Sequence, residues 1–79
     1  MELIIPEYDI TLTPGTAIRI GRLSHEIWIV QYGWYAWGGN RPVCGWYLQG
    51  DLTKAIKPLQ YTDVEDIYIV ENQGADDNG

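Results

Sequence analysis

The stretch Glu26-Ile27-Trp28-Ile29-Val30-Gln31-Tyr32-Gly33-Trp34-Tyr35-Ala36-Trp37-Gly38-Gly39-Asn40-Arg41-Pro42-Val43-Cys44-Gly45-Trp46-Tyr47-Leu48 decides the fold class. Its first seven residues are a β-branched and aromatic run, the composition that suits a half-buried pleated surface, and they predict the central strand. Gly38-Gly39-Asn40 can take positive φ, so the chain is expected to reverse there and return from Arg41 as the second arm of a long hairpin. Pro42 has no N–H to give a ladder and should lie at an edge or outside the pairing. Gly33 and Gly45 are expected to mark bulges.

Working outward, Thr13-Pro14-Gly15 has Pro and Gly in the order of a turn and feeds Thr16-Ala17-Ile18-Arg19-Ile20, where Ile18 and Ile20 face one way and Arg19 the other. Downstream, Ala55 to Leu59 is short and extended. Thr62 with Glu65 three residues on predicts a single helical turn, and Ile67 to Glu71 reads as a closing strand. No window of a dozen residues shows the 3.6-residue spacing of an amphipathic helix, so the expectation is an all-β chain. The domain is expected over residues 1–71, followed by a disordered acidic tail over 72–79.

The order of these pieces, from Tyr8-Asp9 through the Pro14-Gly15 turn, the strand at Trp28, the tight hairpin and Pro58-Leu59-Gln60-Tyr61 before a helical turn and last strand, resembles an SH3-like barrel. The resemblance covers about residues 8 to 71 and implies a small five-stranded barrel or roll with one short helical turn before the final strand. The segment after Tyr8-Asp9 is shorter than the long acidic first loop of the proline-ligand-binding members, and no Trp-Trp pair opens the central strand, so what carries over is the architecture. In style, a short acidic chain with a Gly/Trp-rich hairpin is similar to small phage or prophage proteins. That similarity implies a tail or baseplate accessory acting in the host cytoplasm or the virion.

The chain has 79 residues with a formal charge of −6, but the imbalance is local. Through residue 62 the five acids (Glu2, Glu7, Asp9, Glu26, Asp51) match the five bases (Arg19, Arg22, Arg41, Lys54, Lys57), and every later charge is acidic. Scattered, balanced charges give neither the basic stripe that tracks a phosphate backbone nor the regular acidic face of a nucleic-acid mimic, so duplex nucleic acid is not expected as a partner. One Cys excludes an internal disulfide, and one His with one Cys excludes a Cys/His zinc set. No run nears the roughly 18 apolar residues of a membrane helix, no export signal opens the chain, and a cytoplasmic location is expected.

Seven of the ten aromatics (Trp28, Tyr32, Trp34, Tyr35, Trp37, Trp46, Tyr47) fall between positions 28 and 47. With no Phe, some must fill the core, and Trp28 and Trp46 among Ile and Leu are expected there. Consecutive strand residues point to opposite faces, and so small a fold has one interior, so other rings must stay outside. Trp34, Tyr35 and Trp37 with Arg41 are therefore the expected binding residues, with Arg19 and Tyr32 as further members. The expected function is non-enzymatic: docking on a protein partner or on a second copy. The alternative is an anti-defence protein that sequesters a small nucleotide signal by stacking its base on Trp or Tyr with Arg at phosphate, or that inhibits a host defence enzyme. His25 and Glu26 are adjacent on a strand and do not form an acid/base couple, Cys44 is expected to be a buried thiol, and Asp63, Glu65 and Asp66 a solvated cluster, so neither a catalytic set, a metal nor a cofactor is expected.

Overall fold

A computed structural model describes residues 1–71, so the expected tail at 72–79 lies outside the described residues. The chain is all-β. Its elements are strands β1 (Leu3–Ile5), β2 (Ile10–Leu12), β3 (Ala17–Ile20), β4 (Trp28–Tyr35), β5 (Val43–Gly50), β6 (Ile56–Pro58) and β7 (Ile67–Glu71). Two 3₁₀ turns, η1 (Pro6–Tyr8) and η2 (Tyr61–Asp66), complete it.

Five strands form one antiparallel sheet in the order β6-β5-β4-β3-β7, with the predicted central strand in the middle. The sheet does not close into the expected five-stranded barrel, because β6 pairs only with β5 and β7 only with β3. A second hairpin, β1 with β2, covers the inner face instead. Leu12 of β2 is fully buried in one cluster with Ile18, Val30 and Leu48, joined by Ile5, Trp28, Val64 and Ile67. Four apolar residues of the first hairpin thus supply the wall that closure would have supplied: Ile5 and Leu12 inside the core, Leu3 and Ile10 packed against it. At the β6 edge Lys57 lies opposite Leu48 and sets its ammonium 4.3 Å from the centre of the Trp28 ring, sealing that side with a cation on an aromatic face.

The local signals explain the connections. Thr16 N–H donates to the Thr13 carbonyl at 3.1 Å around Pro14-Gly15, with Gly15 at φ 98°, the backbone of a turn that needs glycine in third place. Gly15 N–H and Val30 N–H then tie this turn to β4, donating to the Val30 and Thr16 carbonyls. The helical turn starts two residues earlier than Thr62 predicts: Gln60 is its N-cap, and the Asp63 carboxylate, not Glu65, accepts the Gln60 backbone N–H at 3.2 Å. Gly33 and Gly45 are not bulges but face each other in an unbroken register; the irregularity lies between Ala17 and Ile18, against β7.

Candidate functional site

Cross-strand partners share a face, so the register of β4 with β5 sorts every ring of the hairpin. Trp28, Val30, Tyr32 and Trp34 lie on the core side with Leu48, Trp46 and Cys44 as partners of the last three. Along this stripe burial falls steadily: Val30 and Leu48 are fully enclosed, Trp46 half-buried, Tyr32 40% exposed and Trp34 73% exposed. The hairpin outruns the core beneath it. Tyr32 and Trp46 meet edge to face, centroids 5.1 Å apart at 65°, and this contact is where the packed stripe ends.

Beyond it Cys44 sits opposite Trp34 and is exposed, against the expectation of a buried thiol. Its apolar sequence neighbours Val43 and Trp46 suggested enclosure, but no second layer reaches this far along the strand. Hydrogen bonding toward Cys44 Sγ, with the negative charge of the thiolate form beside it, holds the Tyr32 phenol above its ordinary value.

The opposite face carries Gln31, Gly33 and Tyr35 against Tyr47, Gly45 and Val43. Tyr35 and Tyr47 stand on either side of the glycine pair, and their ring centroids are 4.8 Å apart at a tilt of 34°. The tip is set by Asn40 N–H donating to the Trp37 carbonyl at 3.2 Å, with Gly38 at φ 65° and Gly39 at φ 77°. Both central residues are left-handed, as in the turn whose twist matches a hairpin's. The reversal brings Trp37 and Arg41 to the Tyr35 side, where they enclose with Asn40, Val43 and Pro58 a shallow concavity of about 200 Å³. Among the described residues the Arg41 guanidinium has no ion-pair partner.

The structure therefore brings three of the six expected site residues together, Tyr35, Trp37 and Arg41. Trp34 and Tyr32 are on the same hairpin but its other face. Arg19 is not with them: β3 meets β4 only at Trp28 and Ile29, at the base of the hairpin, and Arg19 lies further from the tip, opposite Tyr68, with a buried Nε that has no hydrogen-bond partner among the described residues. His25 sits in the connection before β4, at the opposite end of the hairpin from Cys44.

One feature had no sequence signal. Leu3, Ile4 and Ile5 face Trp46, Leu59 and Val64 across an apolar groove of about 430 Å³, larger than the concavity at Arg41. At its acidic end partial desolvation of the Tyr8 phenol, then the charges of Glu65 and Glu7 near it, push this group up as well. Residues from four separate segments build this groove, so no local pattern announces it.

No protein-family model, curated protein or solved structure matches this chain. No helix among the described residues is long and apolar enough to cross a membrane, and none of their His, Cys, Asp and Glu side chains gather in a group of three or more that could hold a metal ion.

Proposed function

We propose that this chain is a non-enzymatic interaction module that docks on a protein surface through the outer half of its β4–β5 hairpin. The strand order, a meander from β3 to β6 with β7 returning beside β3 after a 3₁₀ turn, supports reading it as an open, SH3-like roll. The observation that carries the function is Trp34, 73% exposed on a regular strand. Leaving an indole in water forgoes on the order of a few kcal/mol of burial, and an uncovered ring on a rigid element is the usual form of an interface anchor. Tyr32 and Val43 beside it and Trp37 at the tip, all 40 to 49% exposed, extend the patch over both faces.

At the hairpin tip, size favours this reading over nucleotide sequestration. Small-molecule pockets run from about 300 to 1,000 Å³ and bury most of their ligand. The concavity at Arg41 holds about 200 Å³ and is open, enough for one side chain of a partner. Arg41, without an ion-pair partner among the described residues and beside Trp37, suits a partner carboxylate next to that anchor.

The test is sedimentation over a wide concentration range, alone and with a purified partner. The unaltered chain should associate, and Trp34→Ala should lose association while lowering stability by only about 1 kcal/mol. A chain that stays monomeric, and whose variant binds every partner as tightly as the unaltered chain, overturns the proposal.

A further inference from the structure

The groove between β1 and the core differs in kind from the hairpin tip. Leu3, Ile4 and Ile5 all line it. Consecutive strand residues point to alternate sides, so a cavity that touches all three runs along the strand's edge. That edge is free: β1 pairs with β2 alone, and among the described residues no other backbone hydrogen bond involves Leu3, Ile4 or Ile5. Alternate peptide groups of β1 therefore aim a donor and an acceptor along the groove, whose far wall is Trp46, Leu59 and Val64. Its volume, about 430 Å³, is room for more than one side chain. Glu7 is the one charged residue of the lining, and Glu65 stands beside Tyr8 next to it.

We infer that this groove takes an extended segment of a basic protein partner by strand addition to β1, the segment's alternate apolar side chains on Trp46, Leu59 and Val64 and a lysine or arginine at Glu7. Charge selects this occupant over the two nearest at hand. Residues 72–79 carry Asp76 and Asp77 with no base, and would meet Glu7 with like charge. A second copy offering its own Leu3–Ile5 would bring Glu2 and Glu7 to the same carboxylate. Main-chain bonds along an edge with alternating side-chain pockets are the physics of strand addition. The surface is separate from the hairpin tip, since neither Trp34 nor Trp37 lines it.

The probe is a synthetic peptide, Lys-Val-Thr-Ile-Thr-Val-Lys, titrated into the isotope-labelled full chain. Backbone amides of Leu3, Ile4 and Ile5 and the Trp46 indole should shift together, with the dissociation constant rising severalfold between low and high salt as rim charges are screened. Glu7→Lys should weaken binding about tenfold, roughly the factor that 1.4 kcal/mol represents. Glu7→Gln, with a dispersed spectrum to show the fold intact, should weaken it less. The proposal is overturned if the peptide moves only hairpin-tip signals, if a peptide with Glu in place of Lys binds equally well, if millimolar peptide leaves the β1 amides unmoved, or if those amides shift with protein concentration alone, which would make a second copy the occupant.

Discussion

Trp28 and Trp34 stand on the same face of one strand, three turns of the pleat apart, and replacing each by Ala should separate structure from surface. Trp28 is 8% exposed and packs in the core cluster with Lys57 over its ring. Its removal leaves a cavity, for which aromatic-to-alanine changes cost about 3–5 kcal/mol, plus about 0.5–1 kcal/mol for the lost cation contact. Trp34, 73% exposed, has only about a quarter of its surface covered. A quarter of roughly 250 Å² at about 25 cal/mol per Å² is at most about 1.5 kcal/mol, and the compact unfolded chain lowers that to about 1 kcal/mol. Urea unfolding followed by far-UV circular dichroism measures both. For a domain of this size about 1 kcal/mol shifts the melting temperature by roughly 4–8 °C, whereas the Trp28 loss approaches the whole stability of a small fold. If Trp34→Ala costs as much as Trp28→Ala, the outer hairpin is part of the core and the reasoning fails.

Gly50 is fully enclosed, and a Cβ there would collide with Thr53 Oγ1, which accepts the Ala55 N–H; Gly50→Ala should destabilise by about 1–3 kcal/mol in denaturant melts, and Thr53→Ala should recover part of it. Gly45→Ala, in open space on an ordinary strand backbone, should instead raise stability by about 0.5 kcal/mol in the same melts. The Tyr8 and Tyr32 phenols are held above 10.0 in the fold, so the folded chain keeps protons that the unfolded chain releases: stability should be level below that pH and fall as pH rises above it, and Cys44→Ala should lower the Tyr32 ionisation in an ultraviolet titration. Cys44 is exposed, so an aromatic disulfide reagent should label it in the folded protein without waiting for unfolding; protection at native stability would contradict its placement.

Where the sequence was readable, it was through positions with few physical alternatives. Pro14-Gly15, Gly38-Gly39 and the β-branched run at Trp28 each mark their structure locally, and they locate the turns and the central strand. The first hairpin was not readable: three residues in each arm, broken by Pro6, are too few to show a period of two. Without that hairpin, barrel closure is what would cover the inner face; with it, Ile5 and Leu12 do so. For the site, alternation along a strand shows that rings must face both ways, which implies that some stay outside. Which ones do depends on how far a second layer reaches, and that is why Cys44, on the core side but past Trp46, is exposed. Arg19 was separated from the hairpin tip by register alone: two pairs join β3 to β4, and both lie at the base.

The account rests on the outer hairpin being surplus to folding and available for binding. The most direct measurement is a paired one on the variant Trp34→Ala: a urea melt and a binding isotherm for association or for a purified partner. A stability loss of no more than about 1.5 kcal/mol is expected, with binding weakened by at least about tenfold. An unfolded variant, or a folded one that binds as the unaltered chain does, would contradict it.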